Sequence, residues 1–203
     1  MLMTSRNLDM SFKKNETNFA YERLGGNGFF VEAGAANNKH SSCFPLVEYG
    51  WRGICAEPFR EWFDLLAEAR PESKCYNVAL GGQVGTAEFF HCTNNRWRSG
   101  IKSYLRQATL DLGGTTEEVE VVTLPDLLRK ANAPKEIDWI ALDTEGTEPA
   151  IIKTFLQDGE FQCGCISTEE AVWTDKECKR LLVELGYTRV EGLPEPCDNF
   201  WVL

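Results

Sequence analysis

Short apolar runs recur along the chain, most of them closing on an acid or a glycine, and stretches with helical spacing separate them. Runs of this kind predict strands near residues 28 to 33, 53 to 57, 74 to 79, 137 to 143 and 164 to 169. The segments REWFDLLAEA, LPDLLRKA, PAIIKTFLQ and KECKRLLVEL place apolar residues three and four apart, as an amphipathic helix requires. Strands that are apolar throughout and alternate with helices bury both sheet faces, which predicts an α/β fold with a doubly wound, mostly parallel sheet. The last two runs, YTRVEG and NFWVL, are separated only by the turn-rich GLPEPCD and predict an antiparallel C-terminal pair ending at Leu203. One helix start is marked by Thr123 as N-cap, with Pro125 and Asp126 in the first turn. Residues 1 to 25 are polar and weakly patterned and predict an N-terminal arm or short cap helix; residues 26 to 203 form the main domain. Trp51, Trp62, Trp139 and Trp173 fall on apolar periodicities and are expected in the core, whereas Trp97 stands in the polar NNRWRSG loop and is expected as a lid or substrate platform.

At 203 residues the chain holds one full core. Its formal charge of −10 repels phosphate backbones and anionic membranes, so neither nucleic acid nor membrane is an expected partner. Arg96, Arg98, Lys102 and Arg106 make the best basic cluster and read as a loop rim. The eight cysteines show no paired CxxC spacing, and buried thiols of a reducing, cytoplasmic protein are expected. Cys163 and Cys165 should point to opposite faces of one strand.

The segment GFFVEAGAANN, residues 28 to 38, is followed by GWRGICAEPF, residues 50 to 59. A strand ending in acid and glycine, with a second strand ending in acid about 20 residues further on, is how an α/β sheet builds an adenosine site: the turn lets backbone approach the ligand and the second acid accepts from ribose hydroxyls. In IDWIALDTEGTE, residues 137 to 148, Asp143, Glu145 and Glu148 crowd the C-terminal end of a strand, and CISTEE ends the next strand in the same way. Glu32, Glu57, Asp143 and Glu169 are therefore expected to line one crevice. His40, beside the first turn, is a further candidate base, and His91 reads as a packed or surface residue.

VEAGAANN, GWRGICAEP, NVALGG and the run TLPDLL…IDWIALDTEGTE…E together resemble the FkbM family of S-adenosylmethionine-dependent methyltransferases, from about residue 27 to the C-terminus. The resemblance implies a Rossmann-like, class I methyltransferase fold and S-adenosylmethionine as cofactor. It implies a cofactor turn at Glu32, Gly34 and Ala35, ribose contact at Glu57, and a cofactor set completed by Asn37, Pro58 and Ala79. Asp143, Glu145, Gly146 and Glu148 match the family's acidic D-x-E-G-x-E segment, and Asn37-Asn38 stand where the family often has a second glycine. Methylation of a small-molecule or sugar hydroxyl is the implied activity. Asp143 and Glu145 are expected as bases, or Asp143 with Glu169 or Glu170 as ligands of Mg²⁺. A nicotinamide-dependent oxidoreductase would want G-x-G-x-x-G where this chain has G-A-A-N-N-K. A catalytically silent binding domain is compatible with the same residues, and so is methylation of a nitrogen or peptide acceptor. Acceptor selection is expected to fall to the arm and to a loop at residues 93 to 116, without a dedicated substrate domain.

Overall fold

The computed structural model describes residues 14–36, 41–169, 173–193 and 198–203. Element by element the chain runs α1 (Lys14–Leu24), β1 (Phe29–Ala33), α2 (Phe44–Val47), β2 (Arg52–Ala56), α3 (Arg60–Ala69), β3 (Lys74–Tyr76), β4 (Ala79–Leu80) and β5 (Gly85–Cys92). A 3-10 turn (Arg96–Arg98) then leads to β6 (Gly100–Ile101), α4 (Gln107–Leu110), β7 (Gly114–Val122), α5 (Leu124–Lys130) and β8 (Glu136–Leu142). The chain ends with α6 (Glu148–Asp158), β9 (Gln162–Thr168), α7 (Asp175–Glu184), β10 (Thr188–Arg189) and β11 (Asn199–Val202).

Seven strands form the main sheet in the order β10-β11-β9-β8-β1-β2-β3. All neighbouring pairs are parallel except those of β11, which runs antiparallel to both β9 and β10, so the expected C-terminal pair is present. The two faces of the sheet bury different residue sets. Val31, Ile54, Ile140 and Ile166 pack against Leu127, Ile151, Phe155 and Leu182 of α5, α6 and α7. On the other face Phe30, Cys55, Trp139, Cys165 and Phe200 pack against Ala20, Leu46 and Leu66 of α1, α2 and α3. Strands covered on both faces can be apolar at every position, which is why they read as continuous runs. Cys163 and Cys165 belong to separate core clusters, although one residue apart in β9. Thr123 caps α5, its hydroxyl accepting from the Asp126 N–H. The seven cysteines among the described residues are unbridged. Among the described residues no helix is long and apolar enough to cross a membrane.

Two features depart from the sequence pattern. The run expected as one strand near 74 to 79 divides: β3 joins the main sheet, and β4 turns away to pair with β7. Asn77 fixes the division, its amide donating to the Glu57 and Pro58 carbonyls at 2.9 Å each. The strands read as EFFHC and EVEVVT do not enter the main sheet. They pair antiparallel with each other as β5 and β7 in a second, four-stranded sheet ordered β4-β7-β5-β6. Their alternation explains it: Phe89, Val119 and Val121 pack into a small cluster with Ala79 and Ile101, while glutamates between them face water. Much of the segment expected as a plain loop at 93 to 116 is thus ordered by this sheet. Trp173, expected in the core, is 42% exposed, unlike Trp51, Trp62 and Trp139.

Candidate active site

The C-terminal ends of β1, β2, β8 and β9 open on a crevice of about 200 Å³. At its centre β1 ends in Gly34, whose φ of +75° is a left-handed conformation. A Cβ placed there would lie 1.8 Å from the Asp143 carbonyl oxygen. A glycine is therefore demanded by the close approach of β1 to β8. Ladder bonds continue past the strand ends, from Gly34 N–H to Ala56 O and from Asp143 N–H to Ala33 O, both 3.0 Å. They bring the acids after β2 and β8 to the two sides of the β1 turn.

Glu57, after β2, is 3% exposed, and each of its carboxylate oxygens accepts one backbone N–H: Ala36 at 2.7 Å and Phe59 at 2.8 Å. The first bond shapes the turn after β1 and the second opens α3, so Glu57 braces helix and turn together. Burial pushes its carboxyl up to about 7, against the lowering effect of those two bonds. Each oxygen retains a lone pair, and the side chain lies on the crevice wall.

Opposite stand the acids of β8 and β9. Oxygens of Asp143, Glu145 and Glu169 all lie within 4.8 Å of one another. Burial first, and then the charge of Asp143, raise Glu145 to about 8 and Glu169 to about 9. One Glu169 carboxylate oxygen is buried and has no hydrogen-bond partner among the described residues. Glu145 holds a left-handed φ of 58°, which a non-glycine residue adopts only where its surroundings hold it there. Glu148 does the holding: fully buried, it accepts from the Thr144 N–H and hydroxyl at 2.7 Å each and from the Gly146 N–H at 3.0 Å. Glu148 thus shapes the acidic loop from behind and does not line the crevice.

Of the residues expected to touch a cofactor, Gly34, Glu57, Pro58 and Ala79 line the crevice. Glu32 does not. Its carboxylate turns to the opposite side of β1 and accepts from the Ser41 hydroxyl, the Ser42 N–H at 2.7 Å and Arg70 Nη1 at 2.9 Å. It pins the segment entering α2, and its bonds are to Ser41, Ser42 and Arg70 and not to the crevice. Ala35 is likewise packed into the core, its N–H donating to Ala56 O at 3.4 Å. Asn37 and His40 lie outside the described residues, as does Glu170. Sequence reasoning missed Phe59, Trp62, Phe89 and Ile101, which form an aromatic and aliphatic wall beside Glu57. The spacing of Phe59 and Trp62, three apart at the start of α3, carried the signal but read equally as core. Arg98, read as part of a loop rim, sits where its charge opposes the rise of Glu145.

Residues 32–187 match the model of the methyltransferase FkbM domain. No curated protein sequence matches the chain significantly. Among solved structures, an N-terminally truncated METTL16 methyltransferase domain superposes with a TM-score of 0.50 at 12% identity, over 94% of this chain and 81% of that one. A human methyltransferase 10 domain-containing protein gives 0.47 at 10% identity, over 99% and 83% of the two chains. A TehB-like S-adenosylmethionine-dependent methyltransferase from Corynebacterium glutamicum gives 0.45 at 9% identity, over 93% and 85%. The first of these likenesses supports the Rossmann-like class I methyltransferase fold. With the match spanning most of the chain, crevice included, the protein belongs to the FkbM methyltransferase family and is an S-adenosylmethionine-dependent methyltransferase.

Proposed function

We propose that the chain methylates a hydroxyl of a small molecule or sugar, with the cofactor on the Glu57 side of the crevice and the acceptor on the Asp143 side. The observation that carries this reading is the pairing of a ribose-type acid at the end of β2 with three clustered carboxylates across the β1 turn. The residues fit the cofactor: Glu57 has lone pairs for ribose hydroxyls, and the Asp143 side chain on the crevice wall offers a counter-charge to a sulfonium cation. When bound, S-adenosylmethionine supplies a methyl group on that sulfonium for in-line displacement. The protein's contribution is then alignment, worth roughly 7–11 kcal/mol where it is good, and removal of the acceptor's proton. Asp143, at the mouth of β8, would take the proton that the acceptor hydroxyl gives up on methylation. Glu145 and Glu169, with carboxyls raised to about 8 and about 9, carry their protons at neutral pH and donate hydrogen bonds to the acceptor. A net charge of −10 and an acid-lined acceptor end weigh against a polyanionic acceptor. The unbridged thiols support a reducing, cytoplasmic setting.

A second reading rests on the same three oxygens: their spacing suits a divalent ion such as Mg²⁺ held by Asp143, Glu145 and Glu169. The test is turnover of labelled cofactor on panels of glycosides, aliphatic alcohols, peptides and RNA oligonucleotides, with parent and Asp143→Asn proteins and with or without EDTA. Methylation of alcohols or glycosides, insensitive to EDTA and reduced about a hundredfold or more in Asp143→Asn with cofactor affinity retained, is the expected result. Loss on chelation that Mg²⁺ restores selects the metal. Parent-like rates in both Asp143→Asn and Glu145→Gln, or turnover confined to RNA or peptide, overturn the proposal.

A further inference from the structure

Cys55 in β2 and Cys75 in β3 are direct partners in the parallel ladder. Both side chains belong to one face of the sheet, Cys55 inside the cluster that holds Leu66 of α3 and Cys75 packed at its margin. Paired residues of neighbouring strands stand roughly 4.8 Å apart, inside the range of about 4.4–6.8 Å between Cα atoms that a disulfide spans. The thiols are already joined by a hydrogen bond from the Cys55 S–H to the Cys75 sulfur, and Arg70 Nη1 donates to Cys55 Sγ at 3.1 Å. The bond from Cys55 is the largest influence on Cys75 and holds its thiol below the usual thiol range; partial burial opposes it, and the charge of Arg70 adds to it. Exposure then separates Cys75 from the rest. β3 is the edge strand of the main sheet and Cys75 is partly exposed, whereas every other cysteine among the described residues is buried. Burial also raises the thiols of Cys163, Cys165 and Cys178, which leaves them protonated and unreactive.

A solvent-reachable sulfur beside a cation, with a second thiol bonded to it from the core, has the parts of a two-cysteine oxidation site. We propose that Cys75 and Cys55 form a redox site that takes hydrogen peroxide, with Cys75 as the attacking sulfur and Cys55 as the sulfur that closes the bridge. The Cys75 thiolate attacks one peroxide oxygen. An S–O bond forms, the O–O bond breaks, and the departing hydroxide takes a proton from solvent and leaves as water. The Cys55 sulfur then attacks the Cys75 sulfenic acid; its proton passes to the sulfenic hydroxyl, which leaves as a second water while the S–S bond closes. Two electrons pass from the thiol pair to the peroxide, and a thiol reductant returns them. Neither cysteine lines the crevice, so the site is distinct from the one that holds Glu57 and Asp143.

Peroxide treatment of the folded protein, followed by alkylation and peptide mass mapping without reduction, tests it. Hydrogen peroxide is expected to give a species lighter by two hydrogens in which the Cys55 and Cys75 peptides are joined, and a thiol reductant should restore the parent mass. Before oxidation, iodoacetamide at pH 7 should label Cys75 at least about tenfold faster than any buried cysteine. In Cys55→Ser the bridge cannot close, and dimedone should trap Cys75 as the sulfenic acid; Cys55→Ala serves where a hydroxyl is not tolerated in that core. Cys75→Ser should give neither a bridge nor a dimedone adduct at Cys55. A peroxide-treated parent whose cysteines all label as before overturns the proposal. So does a bridge that joins any other pair, or a Cys75 sulfenic acid in the parent that never resolves onto Cys55. A dimedone adduct at Cys55 in Cys75→Ser overturns the assignment of the attacking sulfur.

Discussion

Glu32 and Glu57 sit near the ends of neighbouring parallel strands and are buried alike, at 4% and 3% exposure. They do opposite things. Glu32 is neutralised by Arg70, which is 1% exposed, stacks on Phe44 and reaches Glu32 and the Cys55 sulfur with one nitrogen. Glu57 accepts backbone N–H groups at both oxygens, and burial raises it to about 7. A buried acid with a cation of its own is structure; a buried acid held by amide dipoles at a crevice wall is ready for a ligand. The difference between the two lies in the counter-charge and not in the strand pattern.

The comparison breaks most visibly at Arg70. Arg70→Met leaves the Glu32 carboxylate buried and without its cation, and should lower the unfolding free energy in urea at pH 7 by about 3–5 kcal/mol. A loss below about 1 kcal/mol would mean that the Ser41 and Ser42 donors suffice by themselves, as amide donors do for Glu57.

Glu57 should announce itself in the pH dependence of stability. The folded protein keeps its Glu57 proton up to about 7, whereas the unfolded chain loses it near 4.5. Between those values the native state binds more protons, so raising the pH lowers stability. The effect is absent below 4.5, complete above 7, and amounts to about 3 kcal/mol at 1.36 kcal/mol per pH unit. Glu145 and Glu169, raised to about 8 and about 9, extend the decline to higher pH. Urea melts from about pH 4 to 10 should show this fall in the parent and a smaller one in Glu57→Gln; equal slopes in the two proteins refute the assignment.

In cofactor binding the two acids should separate. Glu57→Gln removes charge-assisted bonds to ribose worth roughly 1.5–3 kcal/mol each, so the dissociation constant for S-adenosylhomocysteine should rise about ten- to a hundredfold. Glu32→Gln gives the smallest effect expected: folded protein should bind the same ligand within about threefold of the parent, although it melts earlier. Equal losses in both variants would show that Glu32 reaches the ligand after all.

How far the sequence speaks depends on the range of the interaction concerned. The main parallel strands were legible because burial on both faces writes apolar residues at every position, and Glu57 because the acid after β2 follows the β1 turn at a family spacing. Arg70 was not, since an arginine at the end of an amphipathic helix looks solvent-bound until a partner 38 residues away in sequence is brought to it. At Gly34 the sequence carried only part of the reason for a glycine: only the register of β1 with β8 reveals the Asp143 carbonyl against it. The second sheet escaped because EFFHC and EVEVVT carry no sign of which sheet they join; that was decided by the Asn77 amide and by their outward-facing glutamates.

The place of β1 in the sheet also bears on how the protein is made. Its partners are β2 on one edge and β8 on the other, and the second of these spans Glu136–Leu142. A chain emerging from the ribosome can pair β1 with β2 early, but the other edge of β1 stays open until β8 has been synthesised, more than a hundred residues later. β5 and β7, joined through residues between them, can close locally in the meantime. The open, strongly apolar edge of β1 is then an aggregation-prone surface of the nascent chain, and the acids of β8 and β9 are the last part of the crevice to arrive.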